Sequence, residues 1–182
     1  MTELFNELTK IDTSPTLDKT QVVEDIKKAI TDSGYTLTEL NDDKPWGAYF
    51  RFGRGDEERF INEFYAGLDP DRNLMGSNGG LSLKILMVDP GKGLSWQYHN
   101  RREEIWSFIN EGSYKRSMTD EEGPLQTATP GEIVEFAALE RHRLVGCVAC
   151  YSLVAEIWQH SDPDNLSDED DIVRLLDDYS RC

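Results

Sequence analysis

The sequence predicts an all-β fold, an antiparallel sandwich or barrel, with one or two helices on its N-terminal side. Two observations predict it. From Leu81 onward the chain breaks into short apolar and β-branched runs, LSLKILMV, LSWQYH, EIWSFINE, SYKRSM, GEIVEF and LVGCVACYSLVAEIW, divided by turn residues. No helical segments alternate with these runs, which argues against the βαβ rhythm of a parallel sheet. At 182 residues the chain fits one domain with a substantial core.

In order, residues 1–17 are polar, are broken at Ser14-Pro15, and read as a loose arm. Residues 18–33 read as an amphipathic helix, because Val22, Ile26, Ala29 and Ile30 fall on one face at helical spacing. Asp18 and Gln21 match a capping box, and Gly34 stands where such a helix stops. This divides the chain into an arm and helix packed on the barrel over 1–40 and the barrel itself over 41–182. Residues 44–52 (KPWGAYFRF) read as a strand, with Trp46 as core before a stacking platform for a ligand ring. Residues 57–68 carry Phe60, Ile61, Phe64, Tyr65 and Leu68, which suits a short helix, and LDPDRNLMGSNGG follows as a turn-rich loop. The tail over 162–171 is acidic and loop-like. Beyond it, Ile172, Val173, Leu175 and Leu176 give the chain an apolar edge with which to dock on the barrel.

Lysine and arginine number 19 against 35 acidic residues, a net charge of −16. That balance disfavours nucleic acid and anionic membrane surfaces as partners. It also repels a phosphorylated ligand, which needs local cations such as Lys84, Arg141, Arg143 or Arg174, or a metal ion. No apolar run reaches the length of a membrane span, and the N-terminus lacks a basic-then-apolar leader. Three cysteines without framework spacing point to a reducing cytoplasm. Cys147 and Cys150 form a C-x-x-C inside the last long run. Residues three apart on a regular strand face opposite ways, so they read as half-buried structural thiols rather than metal ligands.

The stretch GKGLSWQYHNRREEIW, residues 91–106, holds the candidate chemistry. Gln97 and His99, two apart on a strand, point to one face. Glu104 reaches the same point from the next strand, after a turn at residues 100–102, and Glu103 replaces it if the register shifts. An amide oxygen, an imidazole nitrogen and a carboxylate together suit a borderline or hard divalent ion. The chain has three histidines, and His142, in RHRL after the GEIVEF run, supplies a fourth ligand; His160 is left out.

Gly91, Gln97, His99 and Glu104, followed by Gly131 and His142, have the spacing of the two metal motifs of a cupin, with glutamine in place of the first histidine. With Lys44-Pro45-Trp46-Gly47 upstream and Asp170-Asp171-Ile172-Val173-Arg174 near the end, residues 44–181 resemble the cupin domain of type II phosphomannose isomerases. Lys84, Pro90-Gly91, Leu94-Ser95, Trp106, Arg143-Leu144, Glu156, Gln159 and Asp177-Asp178-Tyr179 also match. The chain departs from the pattern at Gly112, one residue further from Glu104 than usual. It departs again at Ala137 and Leu139, where the family has proline and glycine, and at Gly146, where it has asparagine. The segment between KPWG and Lys84 is longer than in the family and reads as a lid or a partner surface. The large guanylyltransferase domain of full-length type II enzymes has no counterpart here, so sugar-nucleotide synthesis is not expected.

The resemblance implies a cupin jelly roll and a metal-dependent isomerase. Its reaction interconverts mannose 6-phosphate and fructose 6-phosphate through an enediol(ate). It implies a divalent metal on Gln97, His99, Glu104 and His142, with Zn2+ the first choice and Mn2+, Fe2+, Co2+ or Ni2+ also compatible. Glu156 is implied as the proton carrier, and Arg174 as the clamp for an oxyanion or a phosphate. Lys84, a charge within an apolar run, faces an anionic substrate or else snorkels at the barrel surface. Isomerisation of a free aldose such as lyxose or mannose is one alternative, and a non-catalytic sugar-binding cupin is another. A small-molecule sugar or sugar phosphate is the expected partner. Cupins often dimerise through sheet edges, so a homodimer is also expected.

Overall fold

Every strand pairing among the described residues is antiparallel. A computed structural model describes residues 3–69, 74 and 80–181. In chain order the elements are α1 (Leu4–Leu8), α2 (Lys19–Asp32), β1 (Leu37–Lys44), β2 (Gly47–Phe52), α3 (Glu57–Phe64), β3 (Leu81–Val88), β4 (Trp96–Tyr98) and β5 (Arg102–Phe108). They continue with β6 (Gly112–Ser117), β7 (Gln126–Ala128), β8 (Ile133–Phe136), β9 (Arg141–Gly146), β10 (Ser152–His160) and β11 (Val173–Leu176). A six-stranded sheet has the order β1-β2-β3-β10-β5-β8, and a five-stranded sheet the order β11-β4-β9-β6-β7.

The inner strands of the six-stranded sheet, β3 and β10 above all, are buried on both faces, and this explains their composition. Leu83, Ile85 and Met87 of β3 join Leu153, Ala155 and Ile157 of β10 in one cluster. They pack there with Val22, Ile26 and Ile30 of α2 and Phe60 and Phe64 of α3. The alternate residues Leu86, Val88 and Val154 face the second sheet and meet Tyr114 and Leu144. A strand covered on both sides reads as a continuous apolar run rather than an alternating one. Lys84 and Glu156 lie on this second, inward set, as register partners between β3 and β10.

The N-terminal arm is not loose. Leu4 and Leu8, on one face of α1 at i and i+4, are 0% and 1% exposed. The arm is held further by Leu4 N–H on Glu63 Oε2 at 2.7 Å and by Tyr151 N–H on the Thr13 carbonyl at 2.9 Å. A five-residue helix is too short to show a period in the sequence. The second helix starts as expected at Asp18, whose carboxylate accepts from Thr20 N–H at 2.8 Å. Gln21 does not complete a capping box; its amide turns to Asp25 at 2.9 Å. Residues 44–52 are the end of β1, a turn and β2, rather than a single strand. Gly47 makes that hairpin possible: its φ is +151°, and a Cβ there meets the Met87 carbonyl oxygen at 1.9 Å.

The long run through Cys147 and Cys150 is also two strands. It leaves the five-stranded sheet at Gly146 and enters the other at Ser152. The two thiols therefore share a turn instead of facing opposite ways, and both are half-buried and free. Burial and the hydrogen bond with Cys147 push the Cys150 thiol up to about 12. The lengthened segment over 53–80 contains α3, while residues 70–73 and 75–79, where a lid or partner surface was expected, lie outside the described residues. The tail docks as expected, with Arg174 opposite Gln97 and Val173 opposite Tyr98. No helix among the described residues is long and apolar enough to cross a membrane.

Candidate metal centre

The turn after β4 carries the chain from one sheet to the other, so His99 and Glu104 face each other across the space between the sheets. His142, on β9, lies beside β4, with Gln97 as its register partner. His99 Nε2 stands 3.0 Å from Glu104 Oε1, and His142 Nε2 stands 3.3 Å from Glu104 Oε2. All three residues are 1–2% exposed, and their candidate ligand atoms lie within 4.8 Å of one another.

Two carbonyls set the tautomers of the imidazoles. His99 Nδ1 lies 2.6 Å from the Asp171 carbonyl, and His142 Nδ1 lies 2.9 Å from that of Glu140. A carbonyl only accepts, so each Nδ1 carries hydrogen and each Nε2 aims a lone pair at the centre. Burial lowers the His99 pKa more than Glu104 raises it, which favours the neutral, ligating form. Burial alone pushes the Glu104 carboxyl up, but positive charge beside it, on His99 when protonated and on Arg102, outweighs burial and holds the group well below the usual carboxylate range. Glu104 Oε2 and His142 Nε2 are buried with no hydrogen-bond partner. Two orphaned acceptors, one anionic, at 3.3 Å are costly unless a cation lies between them, and the N/O donor set suits a divalent one.

Gln97 is close but turned. Its Oε1 accepts from Ser95 Oγ at 2.6 Å, and its Nε2 lies 3.4 Å from His99 Nε2. Ligation through the carbonyl requires an amide flip, which the Ser95 hydroxyl tolerates because it both donates and accepts. Arg102 was not anticipated. Its Nε donates to Glu104 Oε1 at 2.9 Å, its Nη2 approaches His99 Nε2 at 3.3 Å, and it stacks 3.5 Å from the Trp158 ring centroid. Strand alternation contained the signal, since Arg102 and Glu104 are two apart and share the inward face. Glu103 is not among the clustered groups; it takes the opposite face of β5.

A cavity opens beside the triad, lined by Gln97, Arg102, Glu104, Glu156, Lys84 and Trp158, and also by Lys44, Trp46, Tyr49, Glu169, Arg174 and Arg181. Trp46 packs in the inner core at 6% exposure, as the first of its two expectations had it, and also lines this cavity. Glu156 is 4% exposed, and its Oε1 accepts from Trp106 Nε1 at 3.2 Å. Burial, and then the Glu104 charge, push its carboxyl up to about 7 against the pull of Lys84. Lys84 does not snorkel. It is 3% exposed, its Nζ lies 2.9 Å from Glu169 Oε1 and 3.7 Å from Glu156 Oε2, and burial lowers its pKa. Glu169, from the acidic tail, also pairs with Arg51; no local pattern in the sequence marks it. Arg174 Nε is buried without a hydrogen-bond partner. Arg141 and Arg143 alternate with His142 and pair away from the cavity, with Asp120 and with Glu122 and Asp178.

No family model matches the chain, and no curated protein matches it. Solved structures do. A mutant of Bacillus subtilis oxalate decarboxylase superposes with a TM-score of 0.51 at 11% identity, over 76% of this chain and 30% of that one. A structure of the same enzyme, studied for its Mn(II) centres, gives 0.51 at 9% identity, over 77% and 31%. An uncharacterised Klebsiella pneumoniae protein with a double-stranded β-helix domain gives 0.44 at 13%, over 54% and 73%, too slight to argue from. The chain thus spans under a third of the decarboxylase chain. The fold is the cupin jelly roll that the decarboxylase superposition shows, two antiparallel sheets packed together, and between them lies a histidine–glutamate–histidine group able to hold a divalent metal.

Proposed function

We propose that this cupin is a metal-dependent aldose–ketose isomerase of a sugar phosphate, with mannose 6-phosphate and fructose 6-phosphate as the pair interconverted. One observation carries the reading. Glu156, a carboxyl pushed up to about 7, lines the same cavity as Glu104, one of the three residues suited to hold a cation. A proton carrier works best when its pKa lies near the operating pH, because both of its states are then populated.

His99, Glu104 and His142, with Gln97 after an amide flip, hold the metal, Zn2+ or another of the divalent ions named above. When bound, the ion supplies Lewis-acid polarisation of the substrate's C1 and C2 oxygens. The Glu156 carboxylate takes the proton from C2, leaving the enediol(ate), and returns it to C1 as the O2 hydroxyl proton passes to O1. Trp106 N–H holds Glu156 Oε1, and Lys84, 3.7 Å from Oε2, stabilises the ionised form. The inner walls, Lys84, Gln97, Arg102, Glu104, Glu156 and Trp158 at 2–6% exposure, keep bulk water from the enediol(ate). The unpartnered Arg174 Nε, with Lys44 and Arg181 on the same lining, supports an anionic substrate.

One observation favours a second reading, a free aldose. Lys84, the most buried cation of the cavity after Arg102 alongside it, is already paired with Glu169. The test incubates metal-loaded protein in D2O with mannose 6-phosphate and, separately, with mannose. Ketose formation with deuterium at C1 of the ketose, and at C2 of the aldose re-formed from it, is expected for the phosphate ester and is lost in Glu156→Gln. Turnover of mannose alone transfers the function to the second reading. Absence of both ketose and deuterium with either sugar removes the isomerase and leaves a binding protein.

A further inference from the structure

The acidic tail ends in a residue unlike its neighbours. Asp162, Asp164, Asp168 and Asp170 are exposed, whereas Asp171 is 4% exposed. Its Oδ1 accepts from Asn100 N–H at 3.0 Å and from Asn100 Nδ2 at 3.3 Å. Its Oδ2 accepts from Arg101 N–H at 2.9 Å and from Ser167 Oγ at 2.7 Å. Its main-chain carbonyl accepts from His99 Nδ1 at 2.6 Å. One residue therefore holds the turn that joins His99 to Glu104 and also fixes the tautomer of His99.

We infer that Asp171 is a positioning residue for the metal centre, and that docking of the segment 162–171 and binding of the cation are coupled through it. The inference rests on reading His99, Glu104 and His142 as metal ligands. With the segment docked, the His99 ring is locked with Nε2 inward, and two main-chain N–H groups of the turn are satisfied. With the segment released, the ring is free to rotate and change tautomer, and the turn loses both acceptors. Ordering these groups is thus part of the cost of binding the cation, and the docked tail meets that cost in advance. Coupling between two binding events is reciprocal, so the cation also holds the segment down. Arg102 strengthens the link, since its Nη1 donates to Ser167 Oγ at 2.8 Å and to the Asp168 carbonyl at 2.9 Å while its Nε holds Glu104.

The test needs no substrate, so it stands apart from the isomerase reading. Zn2+ affinity is measured by chelator competition for the full chain, Asp171→Ala, Asp171→Asn and the exposed neighbour Asp170→Ala. Loss of an outer partner of a metal ligand typically costs about 10–100-fold in affinity. Asp171→Ala keeps the carbonyl on His99 and removes the side-chain bonds that seat it, so a loss of about tenfold is expected. Asp171→Asn, which keeps one acceptor oxygen, is expected to fall between Asp171→Ala and the parent, and Asp170→Ala to match the parent. Amide hydrogen exchange over 162–171 is followed in parallel. Zn2+ is expected to slow exchange there in the parent but not in Asp171→Ala. Equal affinity of Asp171→Asn and the parent, or no zinc-dependent protection of the segment in the parent, overturns the inference while leaving the metal centre standing. A parent chain that binds no divalent ion overturns both. If Asp171→Ala does not fold, Asp171→Asn and the exchange of the parent decide the matter.

Discussion

Glu156 shows how one side chain takes opposite signs in stability and in catalysis. Its carboxyl rises from an ordinary value near 4.5 to about 7 because burial, and then Glu104, disfavour the anion, while Lys84 and Arg102 oppose and Glu169 adds to the rise. The folded state therefore holds the proton more tightly than the unfolded chain. The stability this contributes is complete below about pH 4.5 and is lost as pH rises through about 7. Proton abstraction needs the ionised form, so exchange at C2 should climb over the range in which that stability is lost. A cation on Glu104 removes part of the push, which moves the rising limb of the loaded protein below 7. A pH profile of C2 exchange checks this, and Glu156→Gln should abolish the limb. Leu139 shows a different local conflict. Its φ of +67° is left-handed, a conformation that favours glycine. A left-handed residue with a Cβ costs about 1–2 kcal/mol, and the 48% exposed side chain recovers little of that by burial. Leu139→Gly should stabilise the fold by about 0.5–1 kcal/mol after the entropy cost of glycine. Thermal melting should show a rise of about 2–4 °C per kcal/mol gained, and a fall would mean that the leucine side chain holds the loop.

Elements were legible wherever a period had room to appear. The strands β3, β5, β6, β8 and β10 stood out by residue type and turn spacing, and α2 by its apolar face. Strand β7 has three residues and α1 has five, too few for a period to show. The corner between β9 and β10 was hidden because the chain stays apolar while it changes sheets, so a switch of partner left no mark in composition. The same logic divides the site. Gln97, His99 and Glu104 could be placed because strand alternation and a short turn bring them together locally, and His142 because so few histidines compete. Arg102 was within reach of the same alternation. Glu169 and Asp171 were not, since their partners lie far along the chain, 85 residues away at Lys84 and 71 at Asn100. A loop acid that reaches inward looks in sequence like the solvated acids beside it, and only the docking of β11 on β4 separates them.

At the scale of the whole molecule, the net charge of −16 and the cations of the cavity pull an anionic substrate in opposite directions. Which of them governs capture depends on distance and therefore on salt. At about 0.01 M ionic strength the screening length is about 30 Å, so an approaching sugar phosphate feels most of the molecule and is repelled. At about 0.1 M it shortens to about 10 Å, and near the mouth the ester feels chiefly Lys44, Arg174 and Arg181, which line the cavity. For the phosphorylated substrate proposed above, kcat/KM should therefore rise severalfold between those two salt concentrations, provided the metal is kept saturating. Free mannose, carrying no charge, should show a flat dependence, so the pair of slopes separates steering from any general effect of salt on the fold. A kcat/KM for the phosphate ester that falls with salt would mean that the cavity's cations dominate even at long range. In that case the acidic surface is spread too far from the cavity to oppose capture.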